Sequence, residues 1–270
     1  MYESYWKLDH SPFRSGVDPE HFYNSSVHDE ALARLEFLVE HRRRMGLVLG
    51  PPGCGKTLLL EVFSRQLRRT GARVANVNLL GADGNELLWS LAQQFGGFPA
   101  TSASPLALWR TVTDLISENR YQHKNTVLLF DGADDATDEA LTQVARLAHA
   151  HASPDDRMSI VLVANAGRAC ALGSPLLELV ELRVDLEPWE LTDTVDYLRR
   201  SKHEGRAESL FTPEAEQRLH ELAGGVPRRL NQMADLCLLA GAGGDLYQID
   251  TVTVENVFHE LDIHEETANR

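Results

Sequence analysis

Met45–Leu49, MGLVL, runs into Gly50–Thr57, GPPGCGKT, and then into Leu58–Leu67, LLLEVFSRQL. The middle stretch fits GxxxxGK[ST], and its flanks are what that pattern requires: a short apolar run of buried-strand type before it and a helical pattern after it. A strand, a Gly-rich turn and a helix in that order form a phosphate cradle. Gly50, Pro51, Pro52, Gly53, Cys54, Gly55, Lys56, Thr57 and Leu58 are expected to surround the phosphates, all but the two prolines with a backbone N–H to offer, at a helix N-terminus where the backbone dipole favours negative charge. Lys56 is expected to reach the β- and γ-phosphates of a nucleotide, and the Thr57 hydroxyl to ligate Mg²⁺.

Outward from this loop, further apolar runs alternate with helical patterns. Helices are expected at 29–41, 84–95, 105–119 and 137–151, and strands at Arg73–Leu79, 127–131 (VLLFD), 159–165 (SIVLVAN) and, more weakly, Val180–Leu186. That alternation predicts a parallel α/β sheet with helices on both faces and a ligand at the carboxyl ends of the strands. After Glu187-Pro188 the pattern becomes wholly helical, over 190–203, 213–223, 227–240 and 251–262, with Gly and Pro between. The reading therefore divides the chain into a nucleotide-binding domain, 1–187, and a small all-helical lid domain, 188–270.

Other positions carry chemistry. Asp131 closes a strand read as neighbouring the phosphate loop, where its carboxylate would hold Mg²⁺ together with Thr57. Asn165 closes the strand SIVLVA, where a side-chain amide could orient the attacking water or contact the γ-phosphate. In GGVPRRLNQ, residues 224–232, Gly225 ends one helix and Pro227 begins the next, aiming Arg228 at the nucleotide.

Composition narrows the function classes. The 270 residues carry 26 basic and 40 acidic groups, a net charge of −14, so the mean field disfavours nucleic acid, against which only local clusters such as Arg42-Arg43-Arg44 and Arg228-Arg229 work. Cys54, Cys170 and Cys237 are odd in number and far apart, which argues for a reducing cytoplasm over a disulfide framework or zinc site. No run approaches the roughly 18 apolar residues that span a bilayer, so no direct membrane insertion is expected.

Together these residues resemble the AAA+ ATPases, and more narrowly the secretion ATPases of the ExeA/GspA type. Tyr5-Trp6, Leu8, Pro12-Phe13, Asp18-Pro19, Phe22-Tyr23, Ser25, His28 and Glu30-Ala31-Leu32 match the family's N-terminal stretch, and the phosphate loop, VLLFD and GVPRRLNQ recur in its order. The resemblance implies a P-loop α/β domain followed by an AAA+ lid, ATP and Mg²⁺ as cofactors, and nucleotide-dependent protein partners or self-association. It also implies sensor roles for Asn165 and Arg228, and an N-terminal segment near the adenine. Two departures stand out. Gly132 follows Asp131 where the family has a water-polarising Glu, leaving Asp134 or Asp135 to bend back in its place. The usual arginine finger is also missing, with only Arg168 or Arg183 near its position. Slow hydrolysis is expected on this account, with Gly132→Glu expected to restore it. The competing expectations are a DNA-linked transposition-type regulator and a nucleotide-sensing scaffold.

Overall fold

A computed structural model describes residues 2–14, 16–200 and 209–268, with side chains to residue 261. In chain order its elements are α1 (Tyr2–Trp6), α2 (Ser26–Glu40), β1 (Met45–Gly50), α3 (Lys56–Arg69), β2 (Arg73–Asn78), α4 (Gly84–Gln94), α5 (Pro105–Tyr121) and β3 (Thr126–Asp131). There follow α6 (Asp138–Ala150), β4 (Met158–Asn165), α7 (Ser174–Leu177), β5 (Leu182–Asp185), α8 (Leu191–Arg200), α9 (Pro213–Ala223), α10 (Pro227–Gly243) and α11 (Thr251–Ala268). Residues 201–203 of the expected helix over 190–203 lie outside the described residues.

The five strands form one sheet in the order β2-β3-β4-β1-β5, with every pairing parallel. β4 therefore lies between β1 and β3, so Asp131 stands one strand away from the strand that feeds the phosphate loop, not on its immediate neighbour as the sequence suggested. Central β1 is buried at every position, whereas edge strand β5 is half exposed. That exposure explains why β5 read weakly: an edge strand needs no continuous apolar run.

Alternate residues serve opposite faces. Met45, Leu47 and Leu49 join Leu128, Phe130, Ile160 and Leu162 in a core with Leu87 and Leu91 of α4, Val112 and Ile116 of α5, and Val144 and Leu147 of α6. On the other face a Cβ at Gly46 would lie 2.5 Å from Leu38 Cδ1 of α2, so glycine is what lets that helix approach β1. Local chemistry fixes the helix starts: Asp83 and Glu86 make a capping box on α4, Ser104 caps α5 ahead of Pro105, and Thr137 caps α6.

The chain divides into two compact units, Val17–Pro52 with Lys56–Glu187, and Met1–Gly16 with Gly53–Gly55 and Pro188–Arg270. The first sixteen residues thus group with the helical unit, whereas the sequence reading assigned them to the sheet domain. The cause is burial. Trp6 and Phe13 are almost fully buried; Trp6 Nε1 donates to Leu238 O at 2.8 Å, and Phe13 packs edge-on against Phe211. Asp235 Oδ1 accepts from both Ser11 Oγ, at 2.6 Å, and Tyr2 Oη. Within the same unit Thr212 caps α9, Gly224 closes it in the left-handed conformation, and Pro227 opens α10.

Candidate active site

Parallel pairing places the ends of β1, β4 and β3 along one edge, with Gly50 in register with Asn165. From Gly50 the chain turns through Gly53 and Gly55, at φ +86° and +92°, values that glycine adopts without strain. α3 then begins at Lys56.

Lys56 curls back over its own loop. Its Nζ donates to Gly50 O at 3.0 Å, to Pro51 O at 2.9 Å and to Asn165 Oδ1 at 2.9 Å. Beside it, Thr57 Oγ1 donates to Asp131 Oδ2 at 2.5 Å. A hydroxyl and a carboxylate in contact at a helix N-terminus are hard oxygen donors, and they leave most of an octahedral shell to water and phosphate. This donor set fits Mg²⁺, and Thr57 and Asp131 are the residues that would hold it.

After Asp131 the backbone turns sharply at Gly132, φ +66° and ψ 35°, and Ala133–Asp135 form a single 3-10 turn. The turn brings Asp134 inward. Its side chain is 1% exposed, Asn165 Nδ2 donates to its Oδ2 at 2.9 Å, and Arg168 Nη1 lies 3.7 Å from the same oxygen. Arg168 also donates through Nη2 to Asp134 O at 3.1 Å and pairs with Asp135. The sheet unit therefore holds an unbroken chain of polar contacts, Lys56–Asn165–Asp134–Arg168–Asp135. A Cβ at Gly132 would lie 3.3 Å from Asn78 Oδ1, on the side of β2. At φ +66° any side chain added there is strained as well as crowded.

Residues 39–169 match the family model described as AAA domain. Over 245 residues the chain is 28% identical to general secretion pathway protein A of Aeromonas hydrophila, a match that takes in 89% of this chain and 45% of the relative, so the chain spans about half that protein's length. Among solved structures, Cdc6p of Pyrobaculum aerophilum superposes with a TM-score of 0.70 at 18% identity, covering 90% of this chain and 68% of that one. The Orc1 protein of Aeropyrum pernix, solved in complex with DNA, gives 0.66 at 18% identity over 91% and 68%. These two likenesses are of fold.

Within the sheet unit the structure brings Gly50, Pro51, Lys56, Thr57, Asp131, Asn165 and Asp134 together. Gly53–Gly55 group with the helical unit, where the Arg228 N–H donates to Gly53 O at 3.1 Å, and Cys54 is buried. Both residues nearest the arginine-finger position are engaged within their own chain: Arg168 as above, and Arg183 through Nη2 to Asp185 Oδ1 at 2.8 Å, which holds its guanidinium above the usual range. Sequence reasoning missed the Asn165–Asp134 contact and the part of Arg168 in it. The left-handed turn at Gly132 folds Asp134, three residues beyond Asp131, back onto the end of β4, and no motif in the sequence names that contact.

Proposed function

We propose that this chain is an Mg·ATP-dependent AAA+ ATPase of slow turnover that works in the cytoplasm on a protein assembly of secretion or envelope type, its association with partners or with itself varying with the bound nucleotide. The observation that carries the reading is the Thr57 Oγ1–Asp131 Oδ2 contact beside Lys56, a phosphate-loop lysine with a matched pair of metal-ligating oxygens. Lys56 would exchange its loop carbonyls and Asn165 for the β- and γ-phosphates. Mg²⁺, held by Thr57 and Asp131, would supply charge neutralisation on the phosphate oxygens.

Slow turnover is supported by three features. Gly132 stands where a carboxylate is expected, the Asp134 carboxylate is buried and engaged, and both arginine-finger candidates are held by acids of their own chain. Steady-state hydrolysis by the isolated chain should fall below the roughly 1–10³ s⁻¹ of ordinary enzymes. Turnover inside that range without any partner would contradict the slow-enzyme reading. The secretion reading is supported by the likeness to general secretion pathway protein A. Duplex DNA binding near physiological salt should be no tighter than the roughly 10⁻⁴–10⁻⁶ M of non-specific association, with or without ATP. A nanomolar, ATP-dependent complex would instead place the chain among DNA-linked regulators.

A further inference from the structure

Asn165 can face the phosphate loop in two ways. With its amide nitrogen inward it would donate to a γ-phosphate oxygen; with its carbonyl oxygen inward it would accept a hydrogen from the attacking water. Its neighbours discriminate between the two. Lys56 Nζ, which only donates, meets Asn165 Oδ1 at 2.9 Å, and the Asp134 carboxylate, which only accepts, meets Nδ2 at 2.9 Å. Rotating the amide by half a turn would set NH₂ against an ammonium and a carbonyl against a carboxylate, losing both bonds. Asp134 is itself pinned, its side chain 1% exposed and Arg168 on both its carboxylate and its backbone carbonyl.

We propose that Asp134, braced by Arg168, is a positioning residue that locks the Asn165 carboxamide with its oxygen facing the phosphate loop, so that Asn165 acts as an acceptor for the attacking water and not as a donor to the γ-phosphate. When Lys56 turns to the phosphates, Oδ1 is left unoccupied and already aimed, while Nδ2 stays on Asp134. Asp134 is not assigned as the base: its side chain is 1% exposed, its Oδ2 accepts from Asn165 Nδ2, and Arg168 Nη1 lies 3.7 Å from the same oxygen. The proposal rests on the ATPase reading for its consequence, but the lock itself exists without nucleotide.

The test uses the whole chain with Asp134→Ala and Asp134→Asn, the second keeping an acceptor for Asn165 Nδ2 while removing the charge. In nucleotide-free protein labelled with ¹⁵N-asparagine, the Asn165 side-chain amide resonance, assigned by its loss in Asn165→Ala, should shift in Asp134→Ala and stay near its original position in Asp134→Asn. In single-turnover hydrolysis, Asp134→Ala should lower the rate roughly 10- to 100-fold, the scale of a misplaced reacting group, with half-saturating ATP changed less than about threefold. Asp134→Asn should recover most of that rate and keep the wild-type pH profile. Asp134→Ser, too short to reach the amide, replaces Asp134→Ala should the alanine variant unfold. An Asn165 resonance indifferent to Asp134→Ala overturns the lock. Asp134→Asn as slow as Asp134→Ala overturns the positioning role and makes Asp134 the base. Absence of ATP binding in the wild type would defeat the ATPase reading, while the amide resonance still decides the lock.

Discussion

Gly132 and Gly53 show how much of this site is backbone. Gly132, at φ +66°, bends the chain after β3 so that Asp134 reaches Asn165, and any L-residue there pays the left-handed penalty of roughly 1–2 kcal/mol. Gly132→Ala should therefore lower stability by about 1 kcal/mol in chemical denaturation, and Gly132→Glu should not raise ATP turnover. A Glu variant that hydrolyses ATP markedly faster would mean the turn rearranges to point its carboxylate at the site. Gly53 is more constrained: besides φ +86°, a Cβ there would lie 2.9 Å from Arg228 Cβ. Lys56, Thr57, Asp131 and Asn165 were legible because motif and strand-end position name them. The pairing of Asn165 with Asp134 was not, because it depends on a φ/ψ value and on a register between β3 and β4 that no single stretch of sequence encodes.

At the scale of elements, the fully buried strands declared themselves by unbroken apolar runs, and the helices by caps and periodicity. The segment between β4 and β5 did not. It is a 3-10 stretch, Ala166–Leu172, followed by the four-residue α7, too short for any period to register. The partner of Arg199, in the last turn of α8, was not legible in the sequence either. Arg199 proves to be the bidentate partner of Glu216, whose side chain is 1% exposed and otherwise bonded to Ser209 Oγ. Arg199→Ala strands that buried carboxylate and should cost roughly 1–3 kcal/mol in denaturant titration. A smaller loss would mean Glu216 is readily hydrated. At the end of α6, half-buried His151 has its charged form disfavoured by burial, an effect larger than the opposing pull of Asp156, so its pKa falls below the ordinary 6.5. In the unfolded chain it takes up a proton near pH 6.5, so stability should be lost as pH drops below that value. His151→Gln should flatten part of the decline in melting temperature between about pH 7 and 5. A variant with an unchanged slope would show that His151 is freely solvated.

At the scale of the molecule, the division at Glu187-Pro188 was visible as a change from alternating to purely helical patterning, whereas the allegiance of residues 1–16 was not. A short N-terminal stretch has no periodicity that says which unit it covers; only the burial of Trp6 and Phe13 against α10 and its neighbours does. Trp6→Ala should accordingly destabilise by about 3–5 kcal/mol, as for other buried tryptophans. The central claim concerns the sheet unit's strand ends: a phosphate loop whose Lys56, Thr57 and Asp131 take Mg·ATP. Titration calorimetry of the wild type and of Lys56→Ala with ATP, under identical Mg²⁺, tests it most directly. The account predicts saturable one-to-one binding by the wild type, weakened at least about tenfold in Lys56→Ala, in line with the roughly 1.5–3 kcal/mol of a charged hydrogen bond. Equal affinities in the two proteins, or no Mg-dependent binding in the wild type, would contradict it.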